Sequence, residues 1–591
     1  MSDDETGRSV GPAEPPKNAR RRAIVFVLAA VACGLVITGA LAVRDALRIA
    51  RDVRAGRAAF HAIARDAFSA NGSLTARTAA ATAILTRAER EARDSIWLGG
   101  WSHVPLLGQP ARWLRGTTAS LVGLARVASD VANTIEPRLS TAGDPSGRLA
   151  LIDTVSSEFI RLQTAVDAVH IPSTGWFLPP VDSADGQLRT ELKRIRGQIG
   201  NVLVGARGIR SLLAGPTTYL VLAANNAEMR AGGMVLQAGT VYAAGGQIVP
   251  GPFLSTGELA LKNAVAVPSE IKTLYGWLDP GAEWRNTDSS PNFPAVAPIY
   301  AAMAEHRADL SRRGSTIDGV IQLDVYALHR LLGVVGPVEV GGRRYASWNV
   351  ERLVMHDLYV SYGSVRPEIV ARHRELGRLA EATFSALSHR HWDPRALLKA
   401  LADAGGGRHL LVWSNRPDEA AAWSRLGVDG ALRREGLMVT IQNHSGNKLD
   451  WFLRTTMTVG TRRLRDGHTR VTLTIAITNP TPPNQPLYVT GDGSIVPPGT
   501  YRAFVAVYLP GWATDVELAG GRTLIVGPDG PMRVIGTRID VGRTETMNVV
   551  VTFDAPPNAR IQLLPSGRIP PMTVDVRGKQ LDDAKPRAIG L

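Results

Sequence analysis

Hydrophobic and polar positions divide the chain into four stretches with different periods. Residues 23–43 form an uncharged run dominated by Ala, Val, Leu, Ile and Gly, with Thr38 as its hydroxyl-bearing member. At about 1.5 Å per residue, such a helix measures roughly 31 Å, close to the ~30 Å hydrocarbon thickness of a bilayer. The pattern predicts a single N-terminal transmembrane helix. Lys17, Arg20, Arg21 and Arg22 precede it, which puts residues 1–22 in the cytoplasm as a disordered polar tail and the rest outside, despite Arg44 and Arg48 beyond the run.

Residues 44–215 carry apolar positions at helical spacing, with charges on the opposite side, in segments 45–70, 73–93, 116–133, 149–169 and 186–213. Breaks are expected at Asn71-Gly72, in the Trp- and Pro-bearing stretch 97–109, and at 171–180. The expectation is an extracytoplasmic helical stalk or bundle, with Trp97, Trp101, Trp113, Trp176 and Phe177 as packing or interface residues. Over 216–435, strand patterns such as 219–223, 234–242, 317–323 and 410–413 interleave with helical ones, which predicts an α/β domain. From 436 to 580, polar and apolar residues alternate in short runs separated by Pro482-Pro483, Gly491-Asp492-Gly493 and Pro528-Asp529-Gly530, predicting a β-sandwich. Residues 581–591 read as a loose tail.

Composition changes this picture in two ways. Cys33 is the one cysteine in 591 residues and lies inside the apolar run, so the region after it has no disulfide, thiol nucleophile or cysteine metal site. The net charge of +14 would suit nucleic acid in the cytoplasm. With an exported bulk it points instead to anionic lipid headgroups or anionic polymers, or to arginines dispersed over a solvated surface, and nucleic acid is not an expected partner.

Candidate chemistry is sparse. Neither a His-Glu-x-x-His helix nor a P-loop occurs. His389 and His391 flank Arg390 without carboxylate neighbours, a weak metal signal. Arg230, followed by Gly232-Gly233, suits close backbone approach to an anion, and equally a tight turn; Gly245-Gly246 reads the same way. Arg366, Arg372, Arg374 and Arg378 fall on one predicted helix, where Arg374 and Arg378 share a face and can clamp a phosphate or form a solvated basic face. Asp288 suits a cap, a turn or a cation ligand. Asp324, just before an apolar helical stretch, suits an N-cap or a cation ligand.

Several of these residues carry a resemblance. Tyr219-Leu-Val-Leu-Ala-Ala-Asn-Asn-Ala-Glu-Met-Arg230-Ala-Gly-Gly233, Ser290-Pro-Asn-Phe-Pro294, Ile317-Asp-Gly-Val-Ile-Gln-Leu-Asp324, Leu331-Leu-Gly-Val-Val-Gly-Pro-Val338 and Arg408-His-Leu-Leu-Val-Trp-Ser414 resemble, in that order, a bacterial domain-of-unknown-function family numbered 4012. The order of elements is also similar to the LytR–CpsA–Psr phosphotransferases, which move lipid-pyrophosphate-linked glycans onto the cell wall. That likeness matches Arg230 and Arg374 to pyrophosphate-binding arginines and implies Mg if catalysis is retained. Gly232 stands at the acidic metal-binding position of those enzymes, Thr256-Gly257 at their Arg-Asp pair, and Ala371 at a helix arginine, with Arg372 beside it.

The expectation that follows is a cell-membrane, single-pass protein whose α/β domain is similar to the LytR–CpsA–Psr fold. It would act in cell-envelope or surface-polymer assembly by binding a lipid-linked or anionic glycan through Arg230, Arg372, Arg374 and Arg378, without a cofactor. The alternatives are a phosphotransferase using Mg, with Asp288 or Asp324 as cation ligands, and a non-catalytic scaffold that recruits envelope proteins.

Overall fold

The computed structural model of the chain describes residues 17–65, 73–104, 108–171, 179–310 and 316–591; the side chains of 17–32, 34, 35, 64, 65, 141–143 and 179–181 lie outside the description, as do the breaks expected at Asn71-Gly72 and around Trp176 and Phe177. The described residues form two compact units, one comprising those of 17–65, 73–133 and 161–197, the other those of 134–160 and 198–591.

In the first unit, α1 (Lys17–Arg65) is a single helix that contains the apolar run and continues well beyond it. It packs with α2 (Leu74–Asp94), α3 (Ile96–Trp101) and α4 (Gln109–Ile135). Ala42 and Ile49 of α1 are buried among Ala88, Ala92, Leu98 and Ala111. Gly56 permits close approach, since a Cβ there would sit 2.5 Å from the Leu85 side chain. Ser95 ties the corner, accepting from Leu98 N at 3.2 Å and donating to Asp45 at 2.8 Å.

This corrects the membrane expectation. Among the described residues no helix is long and apolar enough to cross a membrane. The helix holding the run passes through Arg44, Asp45, Arg48, Arg51, Asp52, Arg54 and Arg57, and Ala42, near the end of the run, is buried against other helices. The transmembrane helix over 23–43, and the single-pass cell-membrane location with an extracytoplasmic C-terminal region, are therefore withdrawn. Lys17–Arg22 begin this helix, while residues 1–16 lie outside the description.

The second unit includes parts of α5 (Pro145–Asp167) and α6 (Pro179–Ala214), then a mixed sheet. Its strands are β1 (Thr217–Asn225), β2 (Met234–Ala244), β3 (Gln247–Pro250), β4 (Leu254–Ser255), β5 (Gly319–Leu323) and β8 (Leu410–Ser414). The order is β3-β2-β1-β5-β8, with β4 on β2, and within it β1 and β5 run parallel. Around the sheet lie α7 (Ser269–Tyr275), α8 (Phe293–Glu305), α9 (Val325–Val335), and the small β6–β7 hairpin (Val338–Val340, Arg343–Tyr345). There follow α10 (Val350–Arg352), a π turn, α11 (Leu358–Ser361), α12 (Arg366–His389), α13 (Pro394–Gly406) and α14 (Pro417–Leu426). Gly377 lets α12 lie close to the sheet, because a Cβ there would meet Phe253 O at 2.9 Å.

Two further sheets follow. Their strands are β9 (Gly436–Asn443), β10 (Arg454–Arg463), β11 (Thr469–Thr478), then, after the one-turn α15 (Leu487–Thr490), β12 (Tyr501–Leu509), β13 (Thr514–Ala519) and β14 (Thr523–Asp529). The last six are β15 (Met532–Val541), β16 (Thr546–Ala555), β17 (Arg560–Leu563), β18 (Thr573–Val576), β19 (Lys579–Asp582) and β20 (Arg587–Gly590). The orders are β13-β16-β11-β10-β18-β19 and β14-β15-β12-β9-β17-β20.

β10 alternates exposed and buried positions, as a strand with one solvated face does. β12 does not alternate. Ala503, Val505, Val507 and Leu509 face one core, Phe504, Ala506 and Tyr508 the other, so its sheet is buried on both faces. The first core also takes in Leu332, Leu358, Leu376 and Leu379, and the second takes in Leu220, Val235 and helix α8. The boundary expected at residue 435 thus falls inside shared cores. The tail expected to be loose over 581–591 instead ends in a strand, because β20 pairs with β17 and buries Ile589.

Candidate functional site

The site forms where β1 and β5 end at their carboxyl edges, the place where ligands bind in open α/β sheets. From Asn225 the chain turns through Asn226, Ala227, Glu228, Met229 and Arg230 before re-entering the sheet at β2. Asn225 makes an Asx turn by accepting from Ala227 N at 2.9 Å, and it donates to the Tyr359 hydroxyl at 3.0 Å. Asn226 donates to Asp324 and to Gly567 O, each at 2.8 Å. Met229 N donates to Asp450 at 3.2 Å, and Met229 O accepts from Asn443 N at 2.8 Å. Gly233 turns at φ 91° and packs against Ala224. The loop is therefore fixed from both the α/β and the β-rich sides.

This fixation gathers a buried charged cluster. Glu228 accepts from Lys448 Nζ at 3.0 Å and from the Tyr359 hydroxyl at 3.0 Å. The guanidinium of Arg372 lies 4.2 Å from the centre of the Tyr359 ring and 5.7 Å from that of Tyr488. Its Nε donates to the Tyr488 hydroxyl at 3.3 Å, and its Nη1 has no hydrogen-bond partner among the described residues. Glu228, Lys448 and Arg372 are 8 %, 6 % and 2 % exposed. Burial works to raise the Glu228 carboxyl, but Lys448 and Arg372 outweigh it and hold it below the usual range. Burial, followed by Arg372, pushes His373 down to about 4, so this imidazole adds no charge at neutral pH. Two cations thus face one carboxylate, leaving one positive charge in excess.

Beside the cluster, an apolar slot of about 60 Å³ lies between the sheet and α12, lined by Val221, Leu236, Phe253, Leu323, Leu376 and Phe384. Asn225 also lines it and, through its bond to Tyr359, joins the slot to the cluster.

The expected residues separate sharply. Arg372 is in the cluster, whereas Arg366, Arg374 and Arg378 are exposed on the outer face of α12. Arg230 is buried, with its donors engaged by Asn286 Oδ1 (2.9 and 3.1 Å), Asn443 O (2.6 Å) and Met229 O (3.2 Å). Asp324 caps α9 by accepting from Ala327 N at 3.1 Å and contacts His409 at 2.6 Å. Asp288 is buried and receives a 3.4 Å contact from Gln322 Nε2; burial pushes its carboxyl up to about 7 against the pull of Arg230. A small cavity beside Gly232 is lined by Asp288, Gln322, Ser290 and Arg408. His389 bonds back to Ser385 O within its own helix. Among the described residues no group of three or more His, Cys, Asp and Glu side chains is placed to hold a metal ion.

Sequence reasoning missed Glu228, Lys448, Tyr359 and Tyr488. Glu228 stood inside the quoted Asn-Asn-Ala-Glu-Met-Arg segment. Tyr488 stood in a stretch without strand pattern between two strong strands, a length of irregular chain that marks function or a linker.

No curated protein and no solved structure matches the chain. Residues 214–359, which contain β1, the loop from Asn225 to Arg230, β5, α9 and Tyr359, match the model of a family described as a protein of unknown function (DUF4012), so this segment is similar to that family.

Proposed function

We propose that the protein binds a ligand with an anionic head and an apolar tail, of the lipid-linked glycan kind that serves surface-polymer assembly. The observation that carries this reading is the excess positive charge buried at Glu228, Lys448 and Arg372. A buried charge without a counter-charge is strongly unfavourable, and an arriving anion relieves it. The adjoining slot supplies apolar contact for the tail. At about 60 Å³ it is less than half the ~150 Å³ that admits benzene in an engineered core, so a longer tail has to part α12 from the sheet. The glycan portion rests on the likeness to glycan-transferring enzymes.

The test is calorimetric titration of the full chain with geranyl pyrophosphate, inorganic pyrophosphate and geraniol. Geranyl pyrophosphate should bind about tenfold or more tighter than pyrophosphate, and geraniol more weakly than either. Lys448→Met should weaken both phosphorylated probes, while Ala380→Phe, which fills the slot, should weaken the geranyl probe alone. Absence of binding by both phosphorylated probes would overturn the reading. Release of inorganic phosphate from the geranyl probe, leaving geranyl phosphate as water takes the terminal phosphoryl group, would replace it with a phosphotransferase.

A further inference from the structure

Residues 479–500 join β11 to β12 with one turn of helix, α15, as their regular element. Irregular segments longer than roughly 12–15 residues are uncommon in compact domains and are often lids or binding loops. The base of this one is closed by Asn479 Nδ2, which donates to Gly499 O at 2.9 Å and Val541 O at 3.0 Å. Its middle is held as well. Lys448 N donates to Val489 O at 2.9 Å, the Val489 side chain is fully buried, and Gln485 Oε1 lies 2.9 Å from His356 Nε2.

Tyr488 is the exception in this well-held segment. It is half-buried between exposed Leu487 and buried Val489. Its ring stands edge-on to Tyr359 at 5.4 Å and lies 5.5 Å from Lys448 Nζ. Its hydroxyl meets Arg372 Nε at 3.3 Å, beyond the usual N–H···O range, and Arg372 Nη1 has no hydrogen-bond partner among the described residues. A neutral hydroxyl at such a distance is a poor partner for a buried guanidinium. An oxyanion would make charge-assisted bonds roughly twice as strong as neutral ones.

We propose that Tyr488 is the removable occupant of a phosphoryl-binding site. Rotation of its side chain, with α15 held by Val489, uncovers Arg372 Nη1 and Lys448 Nζ for one phosphoryl oxyanion. The proposal rests on the anionic-ligand reading above and adds the door to that site. A closed conformer favoured ten to one over the open one lowers apparent affinity about tenfold.

The experiment is calorimetric titration of inorganic pyrophosphate into the full-length wild type, Tyr488→Ala, Tyr488→Phe and Lys448→Met, each checked for native circular dichroism. Tyr488→Ala should bind about fivefold or more tighter than wild type. Tyr488→Phe, which loses the hydroxyl but keeps the ring, should shift the same way by less and supplies the comparison if the alanine variant does not fold. Lys448→Met should bind at least about tenfold more weakly. If the folded Tyr488 variants bind no tighter while Lys448→Met still loses affinity, the door is refuted and the anion site stands. If folded wild type and Tyr488→Ala both fail to bind pyrophosphate, the site and its door fall together.

Discussion

Two buried charge clusters lie side by side on the segment around residue 449, and they are built to different ends. At the first, Asp450 accepts from Arg568 Nη1 at 3.0 Å, from the Tyr501 hydroxyl at 2.8 Å, from Asn443 Nδ2 at 2.9 Å and from Met229 N at 3.2 Å. One cation meets one carboxylate, both almost fully buried, and the carboxylate is surrounded by donors. At the second, two residues earlier, Lys448 and Arg372 share Glu228. Among the described residues each cluster leaves one guanidinium nitrogen without a partner, Arg568 Nε and Arg372 Nη1, so the difference lies in net charge. The neutral cluster welds the loop after β1 to the β-rich sheets. The charged one has the electrostatics of a site awaiting an anion.

Removing a cation should expose this difference. Arg568→Met leaves Asp450 buried without its counter-charge and should lower stability by about 3–5 kcal/mol, the penalty for breaking a buried pair; urea unfolding measures it. A loss under about 1 kcal/mol would mean that the first cluster is not the weld.

Asp288 gives a pH-dependent test of the charge near Arg230. Its carboxyl rises from 3.8 to about 7 on folding, mainly through burial, so between these values the folded chain holds a proton that the unfolded chain has released. Its contribution to stability is complete below the unfolded value and is lost as pH rises through about 7. Asp288→Asn should therefore gain on wild type between pH 5 and pH 8, by about 2 kcal/mol in urea unfolding. An unchanged difference across that range would show that Asp288 is ionised throughout.

Lys448→Met removes a cation from the cluster with charge to spare, and should change stability by no more than about 1 kcal/mol in either direction. A loss as large as that of Arg568→Met would erase the contrast. The smallest effect belongs to Arg374→Ala with Arg378→Ala. Both side chains are exposed, so stability should stay within about 0.5 kcal/mol and pyrophosphate affinity should not change.

The arginines show how far the sequence was legible. Spacing identifies Arg374 and Arg378 as neighbours on a helix face, but it does not say whether that face meets the protein or solvent; Arg372 is the buried one. Local patterns read well where the physics is local. Asp324 before Val325, Tyr326 and Ala327 suits an N-cap, and its carboxylate accepts from Ala327 N. β12 is legible as a strand, but it reads as part of an alternating pattern, and its burial between two cores depends on partners distant in sequence. The same limit bears on the apolar run ending at Val43: composition alone fits a bilayer, while Ala42 packs against helices whose approach no local pattern announces. Glu228 and Lys448 are 220 residues apart, and their meeting through β1, β9 and α12 is a property of the tertiary fold.

The claim that the Glu228–Lys448–Arg372 cluster is an anion site is tested most directly by the unfolding free energy in increasing inorganic pyrophosphate, at constant ionic strength. For one site, stability should rise as the logarithm of ligand concentration, reaching about 2.7 kcal/mol at a hundred times the dissociation constant. Wild type should follow that curve, and Lys448→Met should lag it by about 1.3 kcal/mol or more at that concentration. Equal rises in the two proteins, or no rise in wild type, would contradict the account.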